Sequence, residues 1–410
     1  MRRALVFLLL FPLGAISCFA EDELTQKLID AEEILWSRFY SPKTHLFYDY
    51  ITSYEKGKEL SHLPRPDEVA RQFPNPCGYG TGMEDCMISA GVMMSAVLNR
   101  YKCDKYKEGP RRAKAIFLGI ERSVQSVPGE GFVARGFSPF APKLFYFNSS
   151  RDQVTHAVMA MWEYYRSGLP DKRIKARIRR SIRDVADRMR RNVTPENDYD
   201  FLQADGSPCT YKICKMEHVQ PHEAARLAMI YAAAWDVTGD EVYYRLWREK
   251  IPAAASGSLH PGTGTATYGL LQMQESIALL MTLEKDTSLR RTFLEASSEA
   301  SALVLSRIPR LENDKDRLDL TELAPDWRVV GGLVNPYRQV WYYPRESGEI
   351  LLTLLRDPNR LFPAQAESFL RNSLSRFDFT RNSSNGLFYL LAAWWMWNAS
   401  QEPPLRARVY

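Results

Sequence analysis

The chain has 410 residues, of which 45% are hydrophobic and 25% charged, with a formal net charge of +5 at neutral pH. That apolar share supports a large folded core and excludes a disordered or collagen-like chain. Without Arg2 and Arg3, which belong to the leader described next, the charge falls to +3. This is too mild to argue for a nucleic-acid partner, and Lys and Arg alternate with Asp and Glu as on solvated helix faces.

The N-terminus reads MRRALVFLLLFPLGAISCFAED. Two arginines precede a short apolar run, and small residues stand just before Glu21, which is the layout of a cleaved secretory signal over residues 1–20. Export to a periplasm or the medium is therefore expected. Pro12 and Gly14 interrupt the run, so no stable membrane span is expected. Cys18 after Ala-Ile-Ser is a poor lipoprotein pattern, which makes an outer-membrane lipoprotein the second reading.

Residues 21–410 are read as one domain. They hold Cys77, Cys86, Cys103, Cys209 and Cys214. Cys209 and Cys214 bracket a short loop that one disulfide can close. The spacing is not a paired Cys-x2-Cys, so no metal or other cofactor is expected. Asn148, Asn382 and Asn398 each begin a glycosylation sequon.

Apolar periodicity gives about twelve helical segments and little strand pattern. They lie near 24–40, 82–101, 111–127, 151–168, 171–192, 220–238, 240–251, 267–284, 288–307, 345–357, 361–375 and 387–400. The segments alternate in character. "ISAGVMMSAVL", "HAVMAMWEYY", "AARLAMIYAAAW", "YGLLQMQESIALLMTL" and "GLFYLLAAWWMW" are apolar nearly all round and must be buried on every side, whereas "DKRIKARIRRSIRDVADRMRRN" keeps one apolar stripe and one charged face. Alternation of this kind predicts an all-α fold, an (α/α)6 toroid of six hairpins with an inner ring inside an outer one. An open superhelix of repeats is the other solution, but no fixed repeat period is visible. In a closed ring the inner helices run parallel, and their N-termini turn six positive dipole ends to one face.

The chemistry-bearing residues fall where the inner helices start. "NPCGYGTGMEDCM" bends on glycines and then places Glu84 and Asp85 in a first turn, where acids suit the dipole and where burial can raise a carboxyl pKa. "NSSRDQVTHAVM" can be capped by Asn148, Ser149 or Ser150, which puts Arg151 and Asp152 in the first turn and His156 one turn on. Arg135 in the upstream "VARGF" joins this set as an anion-holding group.

"YKICKMEHVQPHEAARL" carries His218 and His222 on either side of Pro221, so the two cannot share one helical face as zinc ligands, and substrate contact or a structural role remains for them. Gln272 follows a Gly/Thr loop that lacks the P-loop lysine. Trp341, Tyr342 and Arg345 cluster in "NPYRQVWYYPRESGE", read as a loop-like binding wall, since aromatic faces stack on sugar rings.

In layout over most of residues 24–400 the chain resembles the six-hairpin glycosidase superfamily, and within it the unsaturated glucuronyl and rhamnogalacturonyl hydrolases. In that group an aspartate at the start of an inner helix is the general acid and base, supported by a second one hairpin earlier. Asp152 in "SSRDQVTHAVMAMWEYY" and Asp85 in "TGMEDCMIS" hold comparable places. The resemblance implies hydrolysis of a 4,5-unsaturated uronyl residue, with Asp152 protonating the vinyl ether carbon, Asp85 tuning the transfer, and Arg135, Arg151, His156, His218 or His222 holding the carboxylate. The Glu84-Asp85 loop does not match the group residue by residue.

Three readings follow. The first is a glycoside hydrolase acting on uronic-acid-containing oligosaccharides, of the unsaturated-uronyl type or with paired carboxylates from Glu84, Asp85 and Asp152 in the ordinary inverting way. The second is a polysaccharide lyase on the same toroid, which would depend on His156, His218 or a groove tyrosine. The third is a non-catalytic glycan-binding protein. Composition and motifs leave the sugar, the linkage and the oligomeric state open.

Overall fold

The computed structural model describes residues 13–314, 318–330, 338–359 and 362–401, with side chains from residue 23 on except at 314, 330, 338 and 339. The expected leader falls outside the described residues as far as residue 12, and residues 13–20 are backbone of the first helix. No helix among the described residues is long and apolar enough to cross a membrane.

Twelve principal helices follow one another: α1 (Leu13–Arg38), α2 (Cys86–Asp104), α3 (Gly109–Val124), α4 (Arg151–Arg166), α5 (Lys172–Asn192), α6 (Arg226–Thr238), α7 (Glu241–Gly257), α8 (Thr267–Leu283), α9 (Thr287–Leu305), α10 (Arg338–Arg356), α11 (Ala364–Ser375) and α12 (Gly386–Gln401). The even-numbered helices pack side by side in the order α2, α4, α6, α8, α10, α12, and α12 returns against α2. The ring is therefore closed, and the odd-numbered helices pack around it. Strand structure among the described residues is a two-stranded antiparallel ribbon, Tyr40–Ser41 with Leu46–Phe47, and isolated bridges.

Burial follows the two sequence patterns. In α2 every residue from Cys86 to Arg100 is buried, and in α12 so is every residue from Gly386 to Trp395. In α5 the buried set is Ile174, Ile178, Ser181, Ile182, Val185, Ala186, Arg188 and Met189, one stripe at helical spacing. Neighbouring inner helices approach closely where side chains are absent. A Cβ on Gly348 of α10 would stand 2.3 Å from Cβ of Tyr389 on α12, and one on Gly91 of α2 would stand 2.9 Å from Cβ of His156 on α4.

Three outer helices, α5, α7 and α9, start on aspartate caps. Asp171 accepts from Ile174 N–H at 2.7 Å, and Asp286 accepts from Ser288 and Leu289 N–H at 2.8 and 3.0 Å. Gly239, with φ 72°, closes α6 in the left-handed conformation.

One expectation is corrected here. The tenth helix starts at Arg338, not near 345, so Trp341, Tyr342 and Arg345 belong to its first turns rather than to a loop. Pro344 lies inside it; a proline there forfeits one backbone bond, and burial of Val340 and Tyr343 together with a bond from Trp341 Nε1 to Asn385 Oδ1 (2.7 Å) offsets that loss. The sequons at Asn148 and Asn382 are enclosed by the fold, their side chains donating to Thr210 O and Ser384 O. Cys209 and Cys214 are joined as a disulfide, and Cys77, Cys86 and Cys103 are free.

Candidate active site at the mouth of the ring

The starts of α2 and α4 meet at one mouth. Gln153, fully buried in the first turn of α4, donates from Nε2 to Glu84 O (3.0 Å) and to Asp85 Oδ1 (3.1 Å), and its Oε1 accepts from Met87 N–H (3.2 Å). This amide rivets the two helix starts together, so Asp85 at the N-cap of α2 and Asp152 beside Gln153 open on the same space.

The α2 side holds three carboxyls. Asp85, 15% exposed, accepts from Arg345 Nη1 at 3.0 Å, and Arg135 Nη1 stands 3.6 Å from its other oxygen. Behind it Asp49 is buried; it accepts from Asp85 N–H at 3.2 Å and from Asn385 Nδ2 at 3.0 Å. Both oxygens of Glu84 accept backbone N–H groups, of Gly80 and Gly82, each at 2.7 Å. Those glycines have φ of 85° and 84°, a conformation that turns consecutive amides inward and that suits glycine best. Burial first, and the neighbouring carboxylates second, push Glu84 up to about 7 and Asp49 well above the usual carboxylate range.

The α4 side holds one carboxyl and more cation. Asp152, 27% exposed, accepts from Arg226 Nη1 in the first turn of α6. Burial pushes its pKa up, but the Arg226 charge and hydrogen bond, with Arg151 and Arg135 adding to them, outweigh this and hold it below the ordinary value. Arg226 is 1% exposed, and its Nε and Nη2 have no hydrogen-bond partner.

Deeper along the ring, His156 Nδ1 lies 3.1 Å from Glu275 Oε2 of α8, without the alignment of a hydrogen bond. Burial lowers the imidazole to about 3, and burial lifts Glu275 to about 7 against the pull of Arg356. Between those values the pair is neutral. Gln272, one turn before Glu275, is fully buried with neither amide atom partnered. Natural folds leave few such groups, and those that occur call for a ligand, water or a catalytic role.

The other expected residues divide. Arg135 donates to Glu84 O (2.9 Å) and Tyr79 Oη (2.8 Å), and Arg345 also donates from Nε to Glu349 Oε1 (2.8 Å), so both stand at the mouth. Trp341 packs edge-on against Tyr342, with centroids 4.9 Å apart, and lies under the Arg345 guanidinium. Arg151 is engaged elsewhere: it binds Glu223 and donates to Lys212 O (3.0 Å) and Lys215 O (3.1 Å), which clamps the disulfide loop. His222 is lodged against Gly269 in a short 3-10 turn, its pKa lowered by burial and by Arg226. His218 stays apart, exposed and edge-on to Tyr199 at 4.7 Å, because the chain turns at a left-handed φ of 55° before Pro221.

Sequence reasoning missed Asp49, Arg226, Glu349 and Tyr79, which the structure brings to the mouth. The rule that selected Asp152, a charge at the first turn of an all-apolar helix, also selects Arg226 at the head of "RLAMIYAAAW". Asp49 is a lone acid in "FYDYI" and had no such signal.

No protein-family model and no curated protein matches the chain. Among solved structures it is similar to the crystal structure of a sugar epimerase from a ruminal bacterium, with a TM-score of 0.51 and 13% sequence identity over 91% of this chain and 98% of that one. The likeness is one of fold, an all-helical toroid spanning nearly the whole of both chains.

Proposed function

We propose that this protein is a carbohydrate-active enzyme that hydrolyses a glycosidic bond in uronic-acid-containing oligosaccharides. One observation carries the reading: Gln153 holds the start of the helix bearing Asp152, whose pKa Arg226 keeps below the ordinary value, against the start that carries Glu84 and Asp85, with Glu84 and the neighbouring Asp49 raised by burial. Groups whose environments drive their pKa values apart are what general acid and base catalysis requires. Asp152 takes the proton of the attacking water. A proton held by Glu84 or Asp49, whose pKa values burial raises, passes by way of Asp85 at the mouth to the leaving oxygen or, on a 4,5-unsaturated ring, to the vinyl ether carbon. Water's oxygen bonds to the sugar carbon as the glycosidic bond breaks or, on the unsaturated ring, forms a hemiketal whose collapse releases it. Arg135, Arg226 and Arg345 supply positive charge for a uronate, and a helical-toroid neighbour that acts on sugar fits the same substrate class.

The test is incubation with lyase-digested acidic polysaccharides, following new reducing ends and loss of the conjugated double bond. Turnover that disappears in Asp152→Asn supports the reading. Turnover by Asp152→Asn at the wild-type rate on these substrates overturns it.

A second reading rests on the His156–Glu275 pair. An imidazole 3.1 Å from a carboxyl sets two proton-exchanging groups side by side, the arrangement that removes a proton beside a sugar carbonyl and returns one. Return to the opposite face of the carbon is epimerisation, and loss of a β-substituent is lyase chemistry. In D2O an epimerase places one deuteron on the sugar with no new reducing ends, a lyase raises the double-bond absorbance, and a hydrolase makes new reducing ends and, on an unsaturated ring, lowers that absorbance.

A further inference from the structure

The disulfide loop Cys209–Cys214 carries Tyr211, the most exposed aromatic side chain among the described residues at 61%. Its backbone is left-handed, with φ 64° and ψ 11°, and Lys212 follows at φ 55°. Two consecutive residues with side chains in that region are unfavourable, and such strain persists only where surrounding bonds impose it. Here they do. The disulfide closes the loop, Asn148 Nδ2 donates to Thr210 O (3.2 Å), Arg151 N–H donates to Ile213 O (2.9 Å), and Arg151 Nη1 donates to Lys212 O. A large apolar ring is thus held rigidly in water by a braced loop, against its own burial preference.

The ring stands next to the site. Its centroid is 6.3 Å from that of Tyr79, at an interplanar angle of 38°. Tyr79 is backed by the Arg135 guanidinium at 4.7 Å, and Arg135 is the cation beside Asp85. A ring sandwiched between two faces needs roughly twice the ~3.5–4.0 Å carbon contact distance, about 7–8 Å. The two tyrosines stand closer than that, so they form a bent floor, not a clamp.

We propose that Tyr211 and Tyr79 form a stacking platform for a sugar ring beyond the one that reacts, so that the site takes oligosaccharides in preference to monosaccharides. The proposal rests on the reading of the mouth as a uronate-sugar site and adds the chain length of its substrate. A pyranose offers one face of C–H groups to an aromatic ring, and a rigid tyrosine provides that contact area at little entropic cost. The sequence placed this loop only as a disulfide bracket; the ring's position over the mouth is tertiary.

The experiment is calorimetric titration of the full chain with galacturonic acid and with the unsaturated di- and tetragalacturonates that a lyase releases from polygalacturonate. Wild type is expected to bind the tetramer at least about tenfold more tightly than the monosaccharide, Tyr211→Ala to lose about tenfold on the tetramer and nothing on the monosaccharide, and Tyr211→Phe to behave as wild type. Equal tetramer affinity in wild type and Tyr211→Ala overturns the platform alone. Equal loss on all three probes in Tyr211→Ala also overturns it, since that marks the loop as merely structural, and so does failure of Tyr211→Phe, which would make the hydroxyl rather than the ring the contact. Absence of binding of every probe by wild type overturns the platform together with the uronate reading.

Discussion

The α2 and α4 sides of the mouth face the same dipole ends and differ in protonation. At α2 three carboxyls, Asp49, Glu84 and Asp85, share the attention of Arg345 and Arg135, and burial lifts Glu84 and Asp49. At α4 one carboxyl, Asp152, has the buried Arg226 to itself and is held down. The helix dipole is common to both, so it does not set the difference. What sets it is the ratio of carboxyl to guanidinium within a few ångströms, acting through a low dielectric where neither charge is screened by water.

The largest effect that would break this comparison is loss of the ionised member. Asp152→Asn is expected to lower kcat by about 10²–10⁴-fold on the substrate found by the oligosaccharide screen, with circular dichroism unchanged. Wild-type kcat in that variant would mean that the difference between the two sides has no catalytic use.

Arg226→Met tests the cause of the difference. Without the cation, burial of Asp152 is opposed only by the weaker pull of Arg151 and Arg135, and its pKa moves up. The acid limb of the kcat/KM profile should then shift to higher pH by about one unit or more, with residual activity recovered at alkaline pH. An unmoved limb would show that Arg226 does not set the charge of Asp152.

Glu84→Gln probes the other side. Both Glu84 oxygens accept glycine N–H groups, so the new amide N–H is forced against a donor, at a cost of about 1–3 kcal/mol seen as a lower midpoint in denaturant. A stability unchanged within error would remove Glu84 as the clasp of the glycine loop.

The smallest effect concerns Glu275. Its folded pKa is raised, so between about 4.5 and about 7 the native state holds a proton that the unfolded state has lost, and this carboxyl's share of stability falls as pH rises through that window. Glu275→Gln should therefore gain in Tm relative to wild type between pH 5 and pH 8. The neighbouring imidazole works the other way: His156, lowered to about 3, makes its share fall as pH drops below 6.5, so the Gln variant should show the steeper acid loss. A difference in Tm independent of pH would contradict the Glu275 shift.

The alternation of inner and outer helices was legible because it is a matter of periodicity: a helix buried all round, such as Gly386–Trp397, has no polar face to conceal. Asp85, Asp152 and Arg135 were legible for a related reason, as charges at or beside the start of such helices. Trp341 and Arg345 were expected in a loop and stand in a helix, because Pro344 is a local stop signal that packing against α12 overrides. Arg151 and His218 looked equivalent to their neighbours in sequence, and only the path of the disulfide loop shows that one is a clamp and the other lies apart.

By itself the sequence determined which segments must be enclosed, since transferring apolar surface from water depends on side chains and spacing alone. It also determined that charges gather where those segments begin. Only the tertiary structure decided that the ring closes, that Gln153 joins two helix starts, and that Arg226 faces Asp152 from 74 positions further along the chain. A carboxyl's charge depends on what stands within a few ångströms of it, and those neighbours come from residues far apart in the chain, so no local pattern can state it.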